Sequence, residues 1–291
     1  MKELAIIDQI RKRAGRPCKK VKVGIGDDCA VLDLGGKEYL LWATDMLTEG
    51  VHFRVKEAGY KRIGRKAVAV NVSDIAAMGG VPKYITVTLG LPKSTGQVAV
   101  KSIYDGIFGI CKEYGIKVIG GDTNRSSKLV IDISIIGFAD KKQLVTRRGA
   151  KKSDAILVTG PVRDGRKKHL DFAPRLKESR FLTGRYNLSS MIDISDGIAM
   201  DLGRLCAESR TGARVYADKI PLSKGLSLND ALHFGESFEL LFTMKKEKAK
   251  ALAKKGKYFI IGEMVDKKKG VKIVDRKGEE SVLKMKGFSH L

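Results

Sequence analysis

The run Gly59–Gly80, GYKRIGRKAVAVNVSDIAAMGG, sets the reading of the whole chain. Ile63, Ala67 and Val70 recur at helical spacing, which predicts a helix from Gly59 to Met78 with one apolar face. Asp74 lies eleven residues after Ile63 and seven after Ala67, so that face also carries a carboxylate. Burying a carboxylate without a partner is expensive, and Asp74 therefore asks for a ligand or a structural excuse.

Strand-like and helix-like segments alternate on both sides of this helix. EYLLWAT (38–44) reads as a strand delivering Thr44 and Asp45 to its C-terminal end. YITVTLGLP (84–92) reads as a strand stopped by Pro92, and Ser94 is placed to cap a helix reaching Tyr114. IKVIGG, with Asp122 straight after it, and LVIDISIIGFA (129–139) complete the first half. The basic stretch TRRGAKKSD (146–154) then divides the chain into domains 1–147 and 148–291. Beyond it, AILVTG, MIDIS, ARVYA, SFELLFTM, YFIIGEM and VKIVD read as strands, with a helix from Asp196 to Glu208 and a lysine-rich helix near 245–257. Mixed strands and helices in both halves indicate an α/β (α+β) fold of two domains. The N-terminal MKELAIIDQIRKR reads as a short amphipathic helix, with Leu4, Ile7 and Ile10 at helical spacing, and not as a secretory signal.

Basic residues outnumber acidic ones 56 to 33, a net charge of +23. The lysines gather in surface-like runs such as KKEKAKALAKKGK (245–257) without interleaved aromatics. Nucleic acid is therefore a disfavoured partner, and a solvated basic surface is the simpler account. No apolar run reaches the roughly 18 residues that cross a bilayer, so no membrane association is expected. Cys18, Cys29, Cys111 and Cys206 form no CxxC pair, and the four histidines form no HxxxH. This argues against zinc and a disulfide framework, and fits a cytoplasmic protein whose cysteines are small core residues.

Five segments set Asp at a turn or strand end beside glycine or small residues: GIGDD, WATDMLTEGVHF, NVSDIAAMGG, VIGGDTNR and MIDISDG. Any one could be an N-cap or an Asx-turn, Asp196 above all. Five together favour a shared ligand, and an all-oxygen donor set with no His or Cys cluster points to Mg²⁺. Magnesium keeps several waters and prefers one or two carboxylates plus substrate phosphates, so scattered aspartates suit a polyphosphate. No GxxxxGK followed by Ser or Thr occurs, nor the kinase HRD and DFG signatures. A nucleotide would be held chiefly through metal.

In this order, GIGDDCAV, TDMLTEGVHF, NVSDIAAMGG, GGDTNR, RRGAKKSDAILVTG, MIDISDGIAMDL, GESFELLF and the terminal GFSHL resemble the thiamine-monophosphate kinase family. That family shares its scaffold with aminoimidazole ribonucleotide synthetase, and the likeness extends over nearly the whole chain. It implies ATP-dependent phosphorylation of thiamine monophosphate to thiamine diphosphate by direct in-line transfer. On this chain it implies that Asp28, Thr44, Asp45, Asp74, Asp122, Asp193 and Asp196 hold several Mg²⁺ ions. Tyr104, Gly121, Asp122, Arg147 and Ser195 would contact ATP, and His52, Glu236 and Phe288 the acceptor. The resemblance also implies a homodimer paired through the N-terminal sheet. Asp27 would orient the turn or reach a metal through water. An acceptor phosphate is already ionised near neutral pH, so no catalytic nucleophile or general base is expected. The chain departs from the family at Gly235-Glu236-Ser237-Phe238-Glu239, where GEDYE is usual, and at Ala43, where serine is common. These departures fall on the acceptor side, and leave open a different acceptor or a nucleotide-binding protein without turnover.

Overall fold

The structure, a computed structural model, describes residues 2–15, 18–165 and 169–287. After helix α1 (Lys2–Ala14), six strands form one sheet: β1 (Val21–Val23), β2 (Ala30–Leu32), β3 (Glu38–Thr48), β4 (Val81–Leu91), β5 (Lys117–Arg125) and β6 (Val130–Asp140). Their order is β1-β2-β3-β6-β4-β5, and only the β4–β5 pair is parallel. Along β6, buried Ile131, Ile133 and Ile135 alternate with less covered residues, so one face of the sheet carries the core.

The one-turn helix α2 (Val55–Ala58) leads into α3 (Tyr60–Ala77), which lies on that face beside α4 (Gln97–Tyr114). Ile63, Ala67 and Val70 are buried as their spacing predicts. Gly64 and Gly106 let the two helices meet backbone to backbone. A Cβ on Gly64 would stand 2.1 Å from the Ile103 carbonyl oxygen, and one on Gly106 1.9 Å from that of Lys61. The C-terminal end of α3 then leaves the first core, and Ala77 packs with Leu157, Met191 and Phe242 of the second half. One helix thus joins both layers, and Asp74 sits at the crossing.

The second sheet contains β7 (Asp154–Val158), β8 (Ser190–Asp193), β9 (Thr211–Tyr216), β10 (Leu240–Lys245), β11 (Phe259–Asp266), β12 (Val271–Val274) and β13 (Glu280–Val282). Its order is β13-β12-β9-β11-β7-β10-β8. Helices α5 (Leu176–Arg185), α6 (Ile198–Ser209), α7 (Leu228–His233) and α8 (Lys246–Ala253) accompany it.

Several local expectations are corrected. β3 runs on to Thr48, because eleven consecutive residues pair with β6 from Glu38–Asp140 to Thr48–Val130, so Thr44 and Asp45 are mid-strand. β5 continues through Asp122 to Arg125, held by its parallel pairing with β4. Ser94 does not cap α4, which starts after Gly96 with no side-chain cap. Asp196 is not an N-cap either, since Gly197 holds that position of α6. Cys29, Cys111 and Cys206 are buried as expected, but Cys18 is exposed. α1 leaves Ile7 and Ile10 exposed, while the side chain of Leu4 lies outside the described set. Among the described residues, no helix is long and apolar enough to cross a membrane.

Candidate active site

A cavity of about 690 Å³ opens where α3, β3, the β1–β2 loop and the segments after β8 and before β10 meet. Asp28 comes from the loop, Asp74 from α3 and Asp193 from the end of β8. One carboxylate oxygen from each lies within 4.8 Å of the others. Asp45, mid-strand in β3, also lines the cavity and is hydrogen-bonded to Asp74. Ser73 Oγ donates to Asp193 Oδ2 at 2.5 Å, tying α3 to the second sheet.

This concentration of negative charge is costly. Burial, then neighbouring carboxylates, pushes Asp74 and Asp193 well above the usual carboxylate range. Asp45 is pushed up to about 7 by burial and by Asp196, Asp132 and Asp28. Arg147 is the partial compensation: its Nη2 stands 2.5 Å from Asp28 Oδ1. Burial opposes the guanidinium charge, yet Asp28 and Asp27 hold its pKa above the ordinary value. Asp28 Oδ2 is buried and has no hydrogen-bond partner among the described residues. Three convergent carboxylates, one with an orphaned oxygen, form a donor set that fits a hard divalent cation such as Mg²⁺.

Asp27 orients the turn. It accepts from the backbone N–H of Asp28 and from that of Arg147, and burial followed by Asp28 pushes it up to about 7. Asp201 plays a similar part beside α6, accepting from the backbone N–H groups of Asp196 and Gly197. Arg204 bridges Asp196 at 2.5 Å and Asp201 at 2.9 Å, so the loop bearing Ser195 and Asp196 is braced from below.

On the opposite wall, His52 Nδ1 accepts from the backbone N–H of Thr48 at 3.0 Å, closing the turn after β3. Glu236 lines the cavity and is ion-paired with Lys66. Ser237 is buried, accepts from the backbone N–H of Arg163 and does not line the cavity; Phe238 does line it, stacked on Phe172 with centroids 3.9 Å apart. The serine departure is thus absorbed in the scaffold, whereas the phenylalanine presents a ring to the cavity.

Asp28, Thr44, His52, Asp45, Asp74, Arg147, Asp193, Ser195, Asp196 and Glu236 are brought to one cavity. Gly121, Asp122 and Tyr104 are not among its walls. Asp122 shares a row with Thr88, Asp132 and Met46, on the face of the sheet opposite Asp45, with three strand spacings (roughly 14 Å) between β5 and β3. Tyr104 is half-buried on α4, 5.7 Å from the Phe108 ring. Phe288 lies outside the described residues. Sequence reasoning passed over Lys66 and His169, which sit against Glu236, and over the Asp201–Arg204 brace. Lys66 had a signal: it falls three residues after Ile63, on the buried stripe of the helix.

The model for the N-terminal domain of AIR synthase related proteins matches residues 26–139, and that for their C-terminal domain matches 118–275. The thiamine-monophosphate kinase of Buchnera aphidicola subsp. Schizaphis graminum is 35% identical over 323 residues, covering 99% of this chain and 98% of its own. That of Escherichia coli strain K12 is 34% identical over the same length and coverage. The solved structure of AaThiL complexed with AMPPCP and TMP superposes with a TM-score of 0.86 at 29% identity, covering 100% of this chain and 98% of that one. With both domains matched and full-length relatives at a third identity, the chain belongs to the thiamine-monophosphate kinase family of AIR synthase related proteins.

Proposed function

We propose that this protein transfers the γ-phosphoryl group of ATP to thiamine monophosphate, forming thiamine diphosphate and ADP by direct in-line displacement. The observation that carries the reading is the convergence of Asp28, Asp74 and Asp193, from three separate elements, at the floor of a cavity between the two sheets. The phosphate oxygen of the acceptor attacks the γ-phosphorus, and the bond to the bridging oxygen breaks with its electron pair leaving on ADP. Both reactants are anions, so charge stabilisation is the dominant requirement.

Asp28, Asp74 and Asp193, with Asp45, Thr44 and Asp196 at their margin, would hold the magnesium; Asp122, on the open face of the sheet, would hold a further ion apart from this set. Bound Mg²⁺ supplies neutralisation of phosphate charge and a fixed geometry for the transfer. Arg147, at the edge of the acid cluster, is placed to form a charge-assisted fork with a phosphate of ATP, and Ser195 to donate beside it. His52, Glu236 and Phe238 make the wall on which the acceptor rests. No residue acts as a nucleophile or base.

The other face of the first sheet supports a homodimer as part of the same reading. Trp42, Met46 and Ile119 are exposed there at 50%, 57% and 59%. A second copy would cover this apolar patch and enclose Gly121, Asp122 and Tyr104 as part of the ATP site. The reading places the enzyme in the cytoplasm, where ATP is supplied.

A coupled ADP-release assay with purified protein, ATP, Mg²⁺ and thiamine monophosphate tests the activity. Acceptor-dependent ADP release is expected; its absence from folded, ATP-binding protein overturns the assignment of the acceptor.

A further inference from the structure

Lys66 is wholly buried, at 0% exposure, on the same helix that carries Asp74. Its neighbours on that stripe, Ile63, Ala67 and Val70, are apolar, and an apolar residue would be the ordinary occupant. An ammonium group has three donors, and all three find acceptors here. One goes to the His52 carbonyl oxygen at 3.0 Å, one lies 2.6 Å from His169 Nδ1, and one goes to Glu236 Oε1. Because the ammonium cannot accept, His169 Nδ1 must, which puts the histidine proton on Nε2. The 3.2 Å approach of His169 Nδ1 to Glu236 Oε2 is then a proximity between two acceptors that share one donor.

Two of the three groups so held belong to the cavity wall, and both need holding. Glu236 is a non-glycine residue at φ +63°, followed by Phe238 at φ +52°. Such conformations persist only where the surroundings impose them. His52 sits in a turn closed from both its ring and its backbone: Nδ1 accepts from the Thr48 N–H, and its own N–H donates to the Thr48 carbonyl oxygen.

We infer that Lys66 is a positioning residue for the acceptor: its buried ammonium ties the Glu236 segment and the His52 turn to α3, so that thiamine monophosphate meets a preformed wall. The inference rests on the kinase reading above. Lys66 does not line the cavity, so it acts through Glu236 and His52, and its effect falls on the acceptor and spares the nucleotide.

The test is steady-state kinetics in each substrate for wild type, Lys66→Met, Lys66→Gln, Glu236→Gln and the double variant Lys66→Met/Glu236→Gln. Both Lys66 variants are expected to raise the KM for thiamine monophosphate roughly tenfold or more, with the KM for ATP within about twofold of wild type. The double variant is expected to raise the acceptor KM by less than the product of the two single effects, because Lys66 acts in part through Glu236. Equal rises in both KM values, or lost thermal stability with an unchanged acceptor KM, overturn the inference. Lys66→Gln keeps a donor and carries the reading if Lys66→Met does not fold. A wild type that releases no ADP with thiamine monophosphate overturns the kinase reading itself. That outcome is distinct from an active wild type whose Lys66 variants keep their acceptor KM.

Discussion

Arg147 and Asp28 are paired at the floor of the cavity, Nη2 to Oδ1 at 2.5 Å, while Asp28 Oδ2 has no partner among the described residues. One carboxylate therefore faces a protein cation on one side and keeps an unused oxygen on the other. The arginine keeps the acid cluster tolerable before any ligand arrives, and a metal would release it toward phosphate.

Removing the arginine should make the protein depend on magnesium for stability. Breaking a buried pair from one side costs on the order of 3–5 kcal/mol, because the remaining charge is left uncompensated. Arg147→Ala is expected to melt well below wild type in EDTA, and to gain more from added Mg²⁺ than wild type does. Thermal melts with and without Mg²⁺ measure this; an equal gain in both proteins would detach Arg147 from the metal site.

Metal binding should expel protons. Asp45 sits at about 7, and Asp74 and Asp193 are raised above the usual range, all chiefly by burial. A cation requires these groups ionised, so the apparent Mg²⁺ affinity is expected to rise from pH 6 to pH 8, with proton release falling over the same range. Calorimetric titration in buffers of different ionisation enthalpy reads both quantities.

Asp74→Asn keeps the shape of the side chain and removes its charge. Loss of a ligand worth about 3 kcal/mol to the transition state would lower kcat by roughly 100-fold at saturating Mg²⁺. Unchanged turnover would show that Asp74 is not an essential ligand.

His169 makes stability pH-dependent in a defined window. Burial, then Lys66 and Arg62, lowers its pKa to about 4 from the ordinary 6.5, outweighing Asp171. The unfolded chain therefore takes up a proton, as pH falls from 6.5 toward 4, that the folded chain refuses. Stability present above pH 6.5 is lost across that interval, by on the order of 2 kcal/mol after allowance for solvent screening. Urea midpoints measured from pH 7 to pH 4 should fall less steeply in His169→Gln than in wild type.

The open face of the first sheet gives a prediction about assembly. A carboxylate at position 42, in Trp42→Glu, would be buried by a second copy without a partner. Light scattering is expected to show a dimer for wild type and a monomer for the variant; a dimer in both would move the interface elsewhere.

Much of this architecture was legible in local pattern. The 3.6-residue recurrence of Ile63, Ala67 and Val70 located α3 and put Asp74 on its inner face, and the apolar alternation of 129–139 located β6. Strand ends were less legible. How far β3 and β5 run is decided by partners distant in sequence, so Asp45 and Asp122 moved from strand ends to strand interiors. Asp196 shows the same limit from another side: its neighbours look like a helix cap, but Arg204 and Asp201 claim it.

Local pattern was enough to say which side chains carry charge, which face of α3 is apolar, and that Asp74 lies on that face. The order of the acidic motifs along the chain also placed the protein in its family. Which acids meet depends on packing between segments far apart in the chain. Asp28, Asp74 and Asp193 converge because the end of α3 crosses from one core into the other, whereas sheet register sets Asp122 on the face opposite Asp45. Lys66 belongs to the same lesson: helical spacing buries it, but its acceptors come from residues 14, 103 and 170 positions away, which only packing brings within reach of one ammonium group.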